Sequence, residues 1–196
     1  ADVWIIFDRP EIAIDNDQNS PYFNSIYVTV NGLYYDSPDL SGLKQGPGMY
    51  IIRNGLITQK KGWDVGIQQP PTSVLIGKNG VLLLARILEN EKVLFRSTDG
   101  GNSFKEIKIA PNKIDDDFCW VAKLSSTSNR GWFVDRGPEL VMDKSTGRIY
   151  AIWADFNKCI RNDPNFEYRT RGFDYDIFIS YSDDNGLIWS SPIKIS

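Results

Sequence analysis

Histidine is absent from the 196 residues, which removes Ser-His-Asp and Cys-His nucleophile systems and every imidazole metal site from them. Cysteine is scarce: Cys119 and Cys159 allow one disulfide and equally suit two reduced thiols. No apolar run approaches the length of about 18 residues that spans a bilayer, so no membrane span is expected. No cleavable leader pattern is visible either. A basic stripe is missing as well. With 22 Lys and Arg against 25 Asp and Glu, the formal charge is −3 and the sequence pI is near 5.0. Such a balance argues against duplex nucleic acid as a partner, because phosphate binding normally needs a basic face. Helical periodicity beyond about two turns is also lacking.

What is present is a repeat. Ser97-Thr98-Asp99-Gly100-Gly101-Asn102-Ser103-Phe104 and Ser182-Asp183-Asp184-Asn185-Gly186-Leu187-Ile188-Trp189 share a Ser, an Asp, a Gly and an aromatic at one internal spacing. The hydroxyl and carboxylate can bond N–H groups of their own turn, Gly supplies φ > 0, and the aromatic anchors the outgoing strand. A strand-like run precedes each copy, at 93–96 and 177–181. The similarity extends further. Residues 4–15 parallel 132–143, down to Pro-Glu, three apolar residues and Asp, and both are followed by a second strand-like run. A repeated unit that cannot bury its own face implies stacked copies.

Runs of β-branched and aromatic residues between Gly, Pro, Asn and Asp divide the chain into three groups of four strands. The first group falls near 10–15, 25–30, 48–53 and 56–60, with Asn54-Gly55 as a two-residue hairpin where the Ser-Asp-Gly turn would stand. The second falls near 72–76, 80–86, 92–97 and 104–109, and the third near 138–143, 148–154, 175–182 and 189–195. An all-β single unit over residues 1–196 is expected, organised as 1–66, 67–110 and 132–196 with 111–131 lying between.

The two Ser-x-Asp-x-Gly turns resemble the Asp-box, or BNR-repeat, family of sialidases and sialidase-like β-propellers. That resemblance implies four-stranded blades with the box between the third and fourth strands. Its structural residues here are Ser97, Asp99, Gly101 and Phe104, and Ser182, Asp184, Gly186 and Trp189, with Phe104 standing for the usual Trp. Family sialidases have six blades, and three do not close a circle. The chain is therefore expected to be about half of a propeller, completed by further blades or a second copy. The family also favours an extracellular or cell-surface setting, which leans toward a Cys119–Cys159 disulfide.

Alternating strand direction places the Ser-Asp-Gly turns on one face and the long connections on the other, where function is expected. Arg136-Gly137-Pro138 resembles the sialidase Arg-x-Pro motif, whose Arg grips a substrate carboxylate, and Arg161, Arg169 and Arg171 from 155–174 could add donors. The ordinary reading of Arg136 is a pairing with Asp135 or Glu139 that holds a strand end, and Arg9 recurs in the parallel place. Asp155 is the nearest positional candidate for an acid, or else a solvated carboxylate or partner of Arg161. No residue matches the Tyr nucleophile of sialidases, so no catalytic set is assigned. No cofactor is expected. Asp15, Asp17 and Asn19 alternate like calcium ligands, but the Gly and Glu of an EF-hand are missing, leaving only an irregular calcium site as an option.

Three function classes fit. The first is a sialidase-like binding or scaffold module for glycan or protein. The second is part of an exo-acting glycoside hydrolase, and the third a structural surface protein assembling through blade edges.

Overall fold

The computed structural model describes residues 5–35, 43–62, 73–88, 91–111, 137–156 and 175–195. All are strand or connection, with one short 3₁₀ turn at Lys78–Gly80. Three four-stranded antiparallel sheets follow one another along the chain, each in simple up-and-down order. The first comprises β1 (Ile5–Ile14), β2 (Ile26–Tyr35), β3 (Leu43–Arg53) and β4 (Leu56–Gly62). The second holds β5 (Ser73–Ile76), β6 (Leu82–Leu88), β7 (Glu91–Ser97) and β8 (Lys105–Pro111). The third holds β9 (Glu139–Met142), β10 (Ile149–Phe156), β11 (Tyr175–Ser182) and β12 (Ile193–Lys194).

The all-β class and three groups of four strands expected from the sequence are thus observed, with boundaries that shift: β2 and β3, expected at 25–30 and 48–53, extend to Tyr35 and back to Leu43 and stay paired through Asn31–Tyr35 and Leu43–Pro47, and two further shifts stand out. β1 begins well before residue 10, and the fourth strand of the third sheet, expected from 189, shortens to Ile193–Lys194. The second shift has a local cause. Ser190 still bonds Tyr181 through its backbone N–H (2.8 Å), but Trp189 turns back to donate its indole N–H to Gly186 O (3.3 Å), and the regular ladder starts later.

The sheets stack face to face, and β6 shows why. Its run Leu82-Leu83-Leu84-Ala85 is wholly buried, and alternate side chains of a strand point to opposite faces. Leu82 and Leu84 pack with Tyr27, Met49 and Ile51 of the first sheet. Leu83 and Ala85 pack with Ile149, Ala151, Trp153 and Phe178 of the third. The second sheet is therefore the middle layer, covered on both sides. At one edge of the stack β5 lies between β1 and β9, and the Leu140 N–H of β9 donates to Ser73 Oγ of β5 at 3.0 Å.

Strand direction gives the molecule two ends. One carries the β1–β2 and β3–β4 turns of the first sheet and their counterparts in the others. The opposite end carries the starts of β1, β5 and β9 and the connections from β2, β6 and β10 to the next strand. Asn54 (φ 51°) and Gly55 (φ 75°) form the two-residue hairpin read from the sequence.

Candidate functional site

At the turn end, each Ser-x-Asp-x-Gly segment closes on itself. Ser97 Oγ donates to Asp99 Oδ1 (2.7 Å) and accepts from the Gly101 N–H (2.8 Å), while Asp99 takes the N–H and hydroxyl of Ser103 at 2.9 and 2.5 Å. Ser182 Oγ repeats this with Asp184 (2.8 Å) and Gly186 (2.9 Å), and Asp184 Oδ1 accepts from the N–H groups of Leu187 (3.0 Å) and Ile188 (2.8 Å). In both turns the fourth and fifth residues have positive φ: Gly100 and Gly101, Asn185 and Gly186. Phe104 packs on the seam between the first and second sheets, and Trp189 on the seam between the second and third.

These bonds hold carboxylates in their charged form. Burial alone would raise Asp99, but the donors from Ser103, Ser97 and Asn102 outweigh it and bring the group down to about 2. Asp143, which closes the β9–β10 turn, is also lowered to about 2 by Ser145 and Thr146. Both values lie below the ordinary 3.8, so their contribution to stability is complete above about pH 4 and is lost as pH falls through about 2. Replacing Asp99 or Asp184 with Ala is expected to cost about 1–2 kcal/mol. Thermal melts from pH 5 to pH 2 provide the check: Asp99→Asn should flatten part of the acid decline, and an unchanged profile counts against this role.

The turn end also staples one sheet to the next, by residues that sequence reasoning passed over. Arg53, last residue of β3, donates through Nη2 to Gly100 O at 3.1 Å. Arg96, near the end of β7, donates through Nε to Asn185 O at 3.0 Å. Gly100 and Asn185 each stand three residues after the turn's Ser, so one contact is made twice. The Asn185 side chain adds a two-way bond to Lys78, accepting from its N–H (3.1 Å) and donating to its carbonyl (2.9 Å). The only hint in the sequence is an Arg standing immediately before Ser97 and before Asn54-Gly55.

The calcium-like spacing at 15–19 is engaged in the same work. Asp15, fully buried, accepts from Ser20 Oγ (2.5 Å) and the Asp17 N–H (3.1 Å), while Asp17 accepts from the N–H groups of Asn19 (2.9 Å) and Asn79 (2.8 Å). Among the described residues no group of three His, Cys, Asp or Glu is placed to hold a metal ion, and no helix is long and apolar enough to cross a membrane.

The opposite end gathers charge. Arg86 of β6 is 3% exposed, with Cζ 5.6 Å from the Phe95 ring centroid and a long Nε bond of 3.4 Å to Ile87 O. Burial pulls its guanidinium down to about 10, an effect opposed by Glu106. Lys92 of β7 is buried on the side facing the third sheet, with Nζ 6.0 Å from the Trp153 ring centroid. Asp155 of β10 stands directly opposite Asp176 of β11, and Asp176 is buried and paired with Lys194 at 2.6 Å. Glu91 and Lys108 pair at 2.6 Å near the same end. Of the ligand-binding candidates read from the sequence, only Asp155 is placed here. Arg136, Arg161, Arg169 and Arg171 lie outside the described residues, as do Cys119 and Cys159.

A groove of about 580 Å³ runs along the first strands, lined by Ile12 and Ile14 of β1, Val74 and Ile76 of β5, and Leu140 and Met142 of β9. Lys78, Lys144 and Asp17 stand where it meets the turn end.

Compared with family models and with curated proteins, the chain matches none.

Proposed function

We propose that the chain is part of a sialidase-like β-propeller and acts as a binding module, with the end opposite the Ser-Asp-Gly turns holding an acidic group of a glycan or protein. Three four-stranded sheets packed face to face, first strands side by side along one groove, and a repeated Ser-x-Asp-x-Gly turn support the propeller reading. The observation that carries the binding role is the contrast between the two ends. The Ser and Asp side chains of the turns lock them internally, whereas the other end gathers positive charge, with Arg86 buried beside the Phe95 ring. Cationic groups in low-dielectric surroundings attract anions more strongly than solvated ones do. Arg136, before β9, and Arg161, Arg169 and Arg171, between β10 and β11, would add guanidinium donors of the kind that grip carboxylates.

A glycan array is the direct test. Sialylated or uronic-acid glycans should bind, and replacing Arg136, Arg169 or Arg171 singly with Ala should weaken them by about 1.5–3 kcal/mol for each charged hydrogen bond lost. Binding confined to neutral sugars would sink the proposal.

A second reading is part of an exo-acting glycoside hydrolase, with Asp155, which stands opposite Asp176 in the β10–β11 register, as the positional candidate for its acid. Turnover of a fluorogenic sialoside would move the assignment there. The binding reading expects none from this chain.

A further inference from the structure

The two outer faces of the stack are apolar. On the first sheet, Ile14, Ile26, Ile52 and Ile57 form an unbroken cross-strand row, with Ile12, Val28 and Tyr50 in the row beside it. On the third, Ile152, Ile179 and Ile193 form one row and Val141, Tyr150 and Tyr181 another. Much of this surface is open: Ile12 is 62% exposed, Ile14 47%, Val141 52% and Ile193 49%. Contiguous apolar surface of this kind on a folded chain marks an interaction site.

The inner seams show what fits such faces. Call the side of a sheet that meets the next sheet along the chain its forward face, and the other its back face. At both inner seams a forward face packs on a back face: Met49 and Ile51 against Leu82 and Leu84, then Leu83 and Leu94 against Ile149 and Phe178. Among the described residues, the sheet faces that meet no other sheet are one forward face, on the third sheet, and one back face, on the first.

The staple points the same way. A forward face supplies an Arg (Arg53, Arg96), and the following sheet supplies a turn carbonyl (Gly100, Asn185). The third sheet has Tyr181 where the Arg would stand, stacked under Arg148 at 4.4 Å, with Arg148 in turn paired to Asp183. The first sheet has the two-residue hairpin Asn54-Gly55 where the accepting turn would stand. Donor and acceptor are thus missing together, one from each open face. An additional sheet with a complete turn would find Tyr181 in the Arg's place, with the neighbouring Arg148 held by Asp183, and one bringing an Arg would find only the short Asn54-Gly55 hairpin on the first.

We infer that the open forward face of the third sheet binds the open back face of the first sheet in a second copy of this chain, head to tail. Two copies joined this way by a two-fold axis along the groove make both contacts at once, which closes the assembly and covers all four open faces. The association uses neither end of the stack and so does not depend on the binding role proposed above.

Sedimentation equilibrium across a concentration series tests it. The wild-type chain should weigh about twice a monomer or more, and the apparent mass should rise with concentration. Ile14→Glu blocks the back face and Ile193→Glu the forward face. Each variant alone should be monomeric, because every contact includes one damaged face, whereas an equimolar mixture should recover association through its one intact pair. Ile12→Glu and Val141→Glu, at more exposed positions, replace them if either fails to melt cooperatively. A wild-type chain that stays monomeric overturns the inference. So does a back-face variant that associates like wild type, since that is the behaviour of forward-to-forward pairing.

Discussion

Gly186→Ala is expected to destabilise the fold by about 2–4 kcal/mol, the sum of a left-handed backbone penalty and overpacking. Gly186 sits at φ +86°, and a Cβ there would lie 2.8 Å from Leu94 Cδ2 and 3.2 Å from Leu83 Cδ2, both in the neighbouring sheet. The turn's Gly thus serves twice: it permits the backbone conformation and lets the turn press onto the adjacent core. Gly101 has the same double role, at φ +90° and 3.0 Å from both Ile51 Cδ1 and Met49 Cε. Gly55 separates the two effects, since it has φ +75° and nothing within 4 Å of a Cβ. Gly55→Ala should therefore cost only the backbone term, about 1–2 kcal/mol. Urea unfolding followed by Trp fluorescence measures both. Equal losses at Gly55 and Gly186 would show that the close approach between sheets carries no energy.

Leu83→Ala and Leu84→Ala should each cost about 2–5 kcal/mol, the range for emptying a fully buried leucine site. Their consequences should differ in place. Leu84 faces Tyr27, Met49 and Ile51, so its loss loosens the first sheet, while Leu83 faces Ile149 and Trp153, so its loss loosens the third. Amide hydrogen exchange resolves the difference: Leu84→Ala should speed exchange chiefly in β2 and β3, and Leu83→Ala chiefly in β10 and β11. Identical exchange patterns from the two variants would mean that the seams do not open separately.

How much of this was legible beforehand follows from the range over which each feature is encoded. The hairpin at Asn54-Gly55 was readable because two adjacent residues specify it. So were the self-locking turns at 97–104 and 182–189, whose donors and acceptors stand within four residues of each other. The strand runs were readable from their β-branched and aromatic residues, although Trp189, which resembles a strand residue by type, is used to close its turn. The candidate ligand site was the least legible. Arg86 and Lys92 read as ordinary polar residues in a strand, and only the sheets on either side make them buried cations.

By itself the sequence determined the all-β class, the three groups of four strands and the chemistry of the turns, because each depends on neighbours a few residues apart. Tertiary structure decided the stacking order, the two-sided burial of β6 and the staples. The Arg53–Gly100 and Arg96–Asn185 contacts join residues 47 and 89 positions apart. Leucines at 82, 83 and 84 are the same residue in the chain, and what distinguishes them is which sheet lies on which side. Period-two alternation says that adjacent side chains part to opposite faces, but a face acquires a partner only when another sheet is laid against it.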